Sequence, residues 1–285
     1  IWVGSYQGGV DKISSGKQRF RTMHHLPGDP TSIAATSVRA VLEDHDGVLW
    51  VGTDKGLDAS SDSGRTFSHH AWDPKDERSL SGNVVNAIAE DPQGRLWVGT
   101  RRGLNRLDPD RRTFVHYRSV ADDPRTIPSD VVTAIEASRV RPGNLWVGTN
   151  LGLCSVEVAT GSVTRYPLRG NDAEGSGPPY ILSLYEDARG SLWVGTFDGL
   201  FRRDRESEAW TLYRQDPRDQ RSISNNYCLS MAEDEAGEFW VGTGGGLNRM
   251  DRDAGTFDYF GKKHGLPNAV ICGIVVERPG VLWVS

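Results

Sequence analysis

Long hydrophobic runs are missing from this chain of 285 residues. No window approaches the roughly 18 apolar residues that a membrane-spanning helix needs, and no signal peptide is visible. An excess of positive charge is missing as well, because 33 lysines and arginines stand against 38 aspartates and glutamates, for a net charge of −5. Without a basic stripe, neither nucleic acid nor anionic lipid is expected as a partner.

Cysteine is scarce, with only Cys154, Cys228 and Cys272. An odd number cannot pair completely, and no CxxC motif indicates zinc or redox chemistry. Each cysteine lies in an apolar strand pattern, so we expect three free, buried thiols that pack as small hydrophobic side chains. A helical period of 3.6 residues is also absent, which predicts an all-β chain.

What the sequence does have is a repeat. Nearly the same five letters, Leu-Trp-Val-Gly-Thr, return about every 43 to 49 residues. The repeated tryptophans are Trp2, Trp50, Trp97, Trp146, Trp193, Trp240 and Trp283. Such a period indicates stacked units, none of which buries its apolar faces alone. We expect one repeat domain over residues 1–285. Since the chain begins and ends within repeat strands, we also expect it to be a segment of a longer protein.

One repeat contains four short strands separated by turns. In the repeat around Trp97, the strands are predicted at Val84–Glu90, Leu96–Thr100, Leu104–Leu107 and Thr113–Tyr117. The segment Asp91–Gly94 is a turn, because aspartate, proline and glycine each favour turn geometry. Four antiparallel strands repeated radially make a β-propeller, which leaves no long exposed edge.

The number of blades follows from counting strands. The sequence has seven tryptophan strands but six of every other type, which favours seven blades in the intact protein with six complete repeats visible; six blades is the alternative. Each tryptophan is expected to wedge between neighbouring blades. The glycine two residues later is expected to let the adjacent sheet approach closely. A further aromatic packing position is predicted at His25, His70, Tyr117, Tyr166, Tyr213 and Phe260.

The segment Ser79–Arg106 resembles the regulator-propeller repeat, and the similarity recurs at Ser222–Arg249. The resemblance implies the ligand-sensing region of a hybrid two-component sensor or a diguanylate cyclase. It implies a periplasmic or extracellular location at the inner membrane, with membrane attachment and a kinase or cyclase output domain in segments outside this chain. Fold alone does not fix function.

Several residue patterns that suggest chemistry are better explained by structure. Ser60–Phe67 matches the Asp-box of sialidase-like propellers, which in that family is a hairpin turn away from the active site. Paired histidines such as His69 and His70 point to opposite faces of a strand, so they do not chelate one metal. We therefore predict no metal site and no cofactor.

Pairs of glutamate and aspartate recur at one turn of nearly every repeat, as at Glu90 and Asp91. A catalytic carboxylate pair of a glycoside hydrolase should break the repeat rather than obey it. We therefore predict no catalytic residues, and the visible region is not expected to be an enzyme.

Ligand specificity is expected where the repeats differ. In a propeller, the loops that enter the first strand and the short turns after each tryptophan strand should share one face. The variable residues there include Tyr6 and Gln7 in the first repeat. The predicted ligand contacts are Lys55, Asn83, Arg101, Arg102, Asp130, Tyr180, Asp198 and Tyr227. This mixture suits a carbohydrate or a small anionic metabolite. Lys55, Arg101 and Arg102 are candidates to clamp a carboxylate or sulfate.

Three functions remain open from the sequence. The first is a non-catalytic sensor that binds a small molecule or oligosaccharide and signals to an output domain, with a homodimer as a possible assembly. The second is a scaffold that binds a protein, which requires an exposed apolar patch. The third is a propeller lyase or glycoside hydrolase, which requires perturbed pKa values at residues unique to one blade.

Overall fold

The computed structural model describes residues 2–5, 9–13, 20–168, 178–278 and 280–285. These residues contain 25 strands in seven sheets, one short 3-10 helix at Lys262–His264, and no α-helix. Five sheets have four strands, the first has three and the last has two. Within each sheet the strands follow the chain order, and neighbouring strands of the third sheet, for example, run antiparallel. The all-β prediction is confirmed.

The strands of the first three sheets, in chain order, are as follows. Sheet 1 comprises β1 (Trp2–Ser5), β2 (Gly9–Ile13) and β3 (Phe20–Met23). Sheet 2 comprises β4 (Val38–Glu43), β5 (Leu49–Thr53), β6 (Leu57–Ser60) and β7 (Ser68–His70). Sheet 3 comprises β8 (Val85–Glu90), β9 (Leu96–Thr100), β10 (Gly103–Leu107) and β11 (Phe114–Tyr117).

The remaining sheets continue the same order. Sheet 4 comprises β12 (Val132–Ala137), β13 (Asn144–Thr149), β14 (Gly152–Glu157) and β15 (Val163–Tyr166). Sheet 5 comprises β16 (Ile181–Glu186), β17 (Leu192–Thr196), β18 (Gly199–Arg203) and β19 (Trp210–Tyr213). Sheet 6 comprises β20 (Cys228–Glu233), β21 (Phe239–Thr243), β22 (Gly246–Asp251) and β23 (Thr256–Phe260). Sheet 7 comprises β24 (Ile274–Arg278) and β25 (Val281–Val284).

The chain divides into two compact units. Unit 1 contains residues 1–137, 142–147 and 155–164, and unit 2 contains residues 138–141, 148–154 and 165–285. Among the described residues there are seven strands with the repeated tryptophan and six strands of each other kind, as the sequence predicts.

The tryptophan and the glycine of the repeat allow close contact between neighbouring sheets. Trp97 is 0% exposed. A Cβ atom added to Gly99 would lie 2.6 Å from Val132 Cγ1 of the next sheet, and one added to Gly52 would lie 2.6 Å from Val85 Cγ1. Glycine is therefore required at these positions for the close approach that the sequence predicts.

The predicted aromatic position packs against the tryptophan of the same sheet. The ring centroids are 5.4 Å apart for Trp97 and Tyr117, and 6.0 Å apart for Trp50 and His70. Burial lowers the pKa of His70, with a smaller effect from the neighbouring His69. An uncharged imidazole thus fills a position that holds tyrosine in sheet 3, which supports the structural interpretation of this histidine.

In three of the glutamate–aspartate pairs, the aspartate holds both its own turn and the tryptophan of the repeat. The indole nitrogens of Trp50, Trp97 and Trp193 donate to Asp44, Asp91 and Asp187 at 2.8, 2.9 and 2.8 Å. The other oxygen of each aspartate accepts backbone N–H groups of the turn. For Asp91 these come from Gln93 and Arg95, both at 3.0 Å. These carboxylates are buried and already have several donors.

The glutamate of the pair reaches the preceding sheet. Glu90 accepts the backbone N–H of His45 at 3.0 Å within unit 1. Glu233 accepts that of Ala188 at 2.7 Å within unit 2. The pairs therefore connect successive sheets, and the structural interpretation of this motif is confirmed.

One cysteine differs from the prediction. Cys154 and Cys228 are buried, and burial raises the pKa of Cys154 to about 12 and that of Cys228 still further. Cys272, which was also expected to be buried, is exposed. It precedes β24 in a sheet of only two described strands, so fewer neighbouring strands are present to cover it.

The indole hydrogen bond can be tested by comparing two tryptophans. We expect Trp97→Ala to lower the free energy of unfolding by about 3–5 kcal/mol, because it removes a buried side chain. Trp97→Phe should cost about 1–3 kcal/mol, since buried Asp91 loses one donor. Urea unfolding measures both.

Trp240 provides a comparison without this bond, because its indole nitrogen is buried and has no hydrogen-bond partner among the described residues, although its ring is less buried than that of Trp97. Trp240→Phe should therefore cost less than Trp97→Phe. Equal losses for the two phenylalanine variants would show that the bond to Asp91 contributes nothing.

Candidate functional site

The entry loops, which precede the first strand of each sheet, lie beside the short turns that follow each tryptophan strand. In unit 1, the N–H of Gly103 donates to the carbonyl oxygen of Asp130 at 2.7 Å. In unit 2, the N–H of Gly199 donates to the carbonyl oxygen of Asn226 at 3.0 Å, and the N–H of Gly244 donates to the carbonyl oxygen of Tyr227 at 2.9 Å. Within each unit, the two sets of variable residues therefore form one surface. Tyr6 and Gln7 lie outside the described residues.

The threonine and the glycine of the repeat build the short turn. In sheet 3, Thr100 Oγ1 accepts the N–H of Arg102 and donates to the carbonyl oxygen of Gly103, both at 3.0 Å. Gly103 has φ of 124°, a conformation that glycine adopts readily. Because the turn is held by these two residues, the two side chains between them point away from the sheet and are free to vary.

A buried polar residue in the third strand holds the entry loop. Asn105 accepts the N–H of Ser81 at 2.9 Å, and Asn248 accepts that of Ser224 at 2.9 Å. In sheet 2 the equivalent residue is Asp58, which accepts the N–H of Ala34 at 2.8 Å. Each loop thus begins from a fixed point on its own sheet.

Two predicted ligand contacts, Asn83 and Asp130, are part of this support. Oδ1 of Asn83 accepts the N–H of Trp72 at 2.8 Å, and Oδ1 of Asp130 accepts that of Ser119 at 2.7 Å. In each case the donor lies just after the fourth strand. Asparagine and aspartate alternate here because both supply the same acceptor, so their variation reflects loop geometry as well as surface chemistry.

The surface of unit 1 is basic and contains one tryptophan. Lys55, Arg101 and Arg102 are exposed and form no ion pair within the described part of the chain. Arg102 places its guanidinium carbon 4.6 Å from the centroid of Trp72. Lys55 lies in the short turn that follows β5, and Arg101 and Arg102 lie in the one that follows β9. Trp72 was not predicted, although a tryptophan outside the repeat position was an available signal.

The surface of unit 2 is aromatic. Tyr180, Phe197 and Tyr227 are 38%, 46% and 50% exposed. The ring centroid of Phe197 lies 5.1 Å from that of Tyr180 and 5.2 Å from that of Tyr227, and both contacts are edge to face. We call these three residues the aromatic surface. Phe197 was missing from the predicted contacts, although it occupies a variable turn position.

The turn of sheet 6 leaves one side of Tyr227 uncovered. A Cβ on Gly244 would lie 3.3 Å from Tyr227 Cβ, so this turn runs directly beside the tyrosine. Gly244 and Gly245 carry no side chains, whereas Phe197 and Asp198 stand at the same turn of sheet 5. Asp198 is engaged by Arg214 in an ion pair, and Arg214 Nε also donates to its carbonyl oxygen at 3.0 Å.

In sheet 2 a buried carboxylate, Asp58, contacts the imidazole of the more exposed His69. Asp58 is fully buried, and its Oδ1 lies 2.6 Å from Nδ1 of His69. His69 Nε2 lies 2.8 Å from the carbonyl oxygen of Pro30. Burial raises the pKa of Asp58 more than its hydrogen bonds lower it. Burial lowers the pKa of His69, but the bonds to Asp58 and Pro30 outweigh this effect and raise it.

No group of three or more histidine, cysteine, aspartate or glutamate residues in the described ranges is arranged to hold a metal ion. No helix in the same ranges has the length and apolar character needed to cross a membrane.

Comparison with known proteins identifies the repeat. The family model described as "Two component regulator propeller" matches residues 32–55, 79–102, 175–198 and 222–245. No curated protein matches the chain. Hundreds of solved chains do match, which agrees with a widespread architecture.

Three solved structures illustrate the similarity. The extracellular domain of the putative hybrid two component system BT3049 from B. thetaiotaomicron shares 24% identity and a TM-score of 0.77, over 99% of this chain and 36% of that one. The extracellular domain of the putative one component system BT4673 from the same organism has 18% sequence identity and a TM-score of 0.67. This match covers 100% of this chain and 44% of that one. Virginiamycin B lyase from Staphylococcus aureus has 13% sequence identity and a TM-score of 0.62, and the match covers 87% of this chain and 77% of that one.

These identities show the fold alone, and the predicted β-propeller is confirmed. The chain spans about a third of the length of the BT3049 domain and less than half of the BT4673 domain.

The pair of Asp58 and His69 predicts a dependence of stability on pH. A group whose pKa is higher in the folded state than in the unfolded state stabilises the protein at pH values below its unfolded-state pKa. This stabilisation is lost as the pH rises through the folded-state pKa. For His69, the free energy of unfolding should therefore fall as pH rises from about 6.5. Urea unfolding between pH 6 and pH 8 measures this slope.

Sheet 3 supplies a reciprocal control, because Asn105 faces His116 in the same register as Asp58 faces His69. Asp58→Asn should flatten the slope, and Asn105→Asp should introduce a second one. An unchanged slope in Asp58→Asn would assign the pH dependence to other groups.

Proposed function

Because the chain carries two component regulator propeller repeats, we propose that it is a non-catalytic, extracytoplasmic sensor region. It binds a carbohydrate or small metabolite through its entry loops and short turns, and it signals to a kinase or cyclase domain outside this chain. The repeat match supports this proposal. So does the similarity of the fold to extracellular domains of B. thetaiotaomicron two-component and one-component systems. Those extracellular neighbours also support the periplasmic or extracellular location.

The observation that carries the proposal is the aromatic surface. Exposed aromatic rings in mutual contact are costly in water unless a ligand or partner covers them. Tyr180, Phe197 and Tyr227 lie on loops and turns that the sheets hold rigidly, so their positions are set before a ligand arrives. Prearranged side chains lower the entropy lost on binding. The side-chain-free turn at Gly244 and Gly245 leaves room for a ring beside Tyr227.

Ligand binding alters an output domain only if the ligand has different affinities for two states of the protein. The glutamate of each repeated pair provides a physical route within each unit, because it joins a turn of one sheet to the next sheet. Glu233 and Ala188 illustrate this connection in unit 2, and Glu90 and His45 illustrate it in unit 1. A displaced sheet would therefore act on its neighbour through a direct hydrogen bond.

An enzyme is the weaker candidate, although a lyase shares the fold. The repeated carboxylate pairs hold turns and tryptophans, as at Asp91, and leave no pair free for acid–base chemistry. Asp58 and His69, whose pKa values are both raised, hold an entry loop and contact the Pro30 carbonyl oxygen. Both side chains therefore have a structural role, as the repeated carboxylates do.

Binding can be measured with the chain alone. A thermal-shift screen of oligosaccharides and small organic acids should give ligands, and isothermal titration calorimetry should give their affinity. Tyr227→Ala should weaken binding of a ring-bearing ligand by about tenfold, the order expected for loss of an aromatic stacking contact. Leu26→Ala, which alters a comparably exposed apolar residue in unit 1, should leave the affinity unchanged.

The side-chain-free turn provides a second variant. Gly244→Asp places at sheet 6 the residue that sheet 2 carries at Asp54, and it should block the uncovered side of Tyr227. Because a Cβ at this position lies 3.2 Å from Asn225 Oδ1 and 3.3 Å from Tyr227 Cβ, the melting temperature of the variant is measured beside its affinity. Mass spectrometry of the screened compounds separates the alternatives. Formation of a product would indicate an enzyme, and absence of any ligand together with binding of a protein would indicate a scaffold.

A further inference from the structure

Arg102 is held by an aromatic ring and not by a carboxylate. Its guanidinium carbon lies 4.6 Å from the centroid of Trp72. A Cβ added to Gly82 would lie 2.9 Å from Arg102 Cβ and 3.1 Å from its Cδ, so the aliphatic part of the arginine covers this glycine. Within the described ranges Arg102 forms no ion pair, which leaves the edge of the guanidinium available to an external acceptor.

Other arginines of the chain serve the fold. Arg252 is 4% exposed at its side chain and contacts buried Asp187 at 3.0 Å and Glu233 at 2.6 Å. Arg111 contacts Asp44 at 3.3 Å. Because an unpaired charge is expensive once it is buried, such arginines are matched by acids. Arg102 differs from these two arginines because it forms no ion pair within the described ranges.

Two further arginines lie around the same turn. Arg101 precedes Arg102, and its N–H donates to the carbonyl oxygen of Val84 at 3.1 Å. A Cβ on the following residue, Gly103, would lie 3.5 Å from Cγ of Arg118. Gly103 also donates its N–H to the carbonyl oxygen of Asp130, whose Oδ1 accepts the N–H of Ser119. Arg101 and Arg118 are therefore neighbours of Arg102, the first along the chain and the second across this turn.

We propose that Arg102, stacked on Trp72 and supported by Arg101 and Arg118, is a subsite for an oxyanion group, either a carboxylate or a sulfate. Guanidinium binds such groups through two parallel N–H donors, and stacking on an indole fixes the plane of these donors in advance. This subsite deepens the proposed ligand-binding function, because it lies on the entry loops and short turns of unit 1. Lys55 is not part of it.

The probes are sodium sulfate and sodium glucuronate, titrated at constant ionic strength against sodium chloride. The indole N–H signal of Trp72, assigned by its loss in Trp72→Phe, reports binding by NMR. We expect a saturable shift with at least one of the two oxyanions and none with chloride. The relative affinities of sulfate and glucuronate distinguish a sulfate group from a carboxylate group. A response to chloride equal to that of both oxyanions would overturn the proposal.

Variants then test the arginine itself. Arg102→Ala should weaken oxyanion binding about tenfold or more, as expected for a lost charged hydrogen bond. Arg102→Lys should retain only part of the affinity, because lysine keeps the charge but lacks the planar pair of donors. Arg112→Ala is the matched control, since Arg112 is exposed in the turn between β10 and β11 and forms no ion pair with the described residues.

Two results separate this inference from the proposed sensor function. Tyr227→Ala in unit 2 should leave oxyanion binding unchanged, so the two surfaces are measured independently. If Arg102→Ala binds both oxyanions as tightly as the unaltered chain, the subsite is wrong even where carbohydrate ligands bind the aromatic surface. Gly82→Ala should displace Arg102 and weaken the saturable NMR response of the wild-type chain to oxyanions. This result would confirm that oxyanion binding depends on the position of Arg102 over Gly82.

Discussion

A single buried carboxylate organises sheets 2, 3 and 5, which contain Trp50, Trp97 and Trp193. The aspartate at the first turn accepts the indole N–H of the tryptophan and the backbone N–H groups of the turn, as Asp91 does for Trp97 and Arg95. Burying this charge is tolerable because several donors surround it. The tryptophan is thereby fixed in orientation, the glycine after it admits the next sheet, and the remaining strands pack on that arrangement. The recurrence of the motif therefore has a thermodynamic cause.

The same arrangement separates what must be constant from what is free to change. Threonine and glycine close each short turn by hydrogen bonds that do not involve the two residues between them. Arg101 and Arg102 in one sheet, and Gly244 and Gly245 in another, thus occupy equivalent backbone positions with opposite chemistry. The basic surface of unit 1 and the aromatic surface of unit 2 arise from substitutions that leave the strands unaffected.

Periodicity predicted most of the fold. The strands of sheet 3 begin and end within one residue of the expected positions, because turn residues and apolar alternation mark each boundary. Non-repeated contacts were harder to predict. The sequence does not reveal that Arg102 stacks on Trp72, since 30 residues separate them and no period relates them. Asn83 stays a predicted ligand contact, but the sequence does not reveal that its Oδ1 also supports a loop. Cys272 looked buried because the pattern ignores how many strands surround it.

The threonine–glycine closure of the short turns has a consequence for diversification. A dipeptide can be exchanged at one sheet without a compensating change elsewhere, because no other part of the turn depends on those two side chains. Ligand specificity can therefore change through one turn dipeptide at a time, and each exchange leaves the folding of the scaffold intact. Moving the pair of turn residues from one sheet to another would change the surface and leave the strands the same. The architecture is therefore suited to libraries in which these pairs are exchanged.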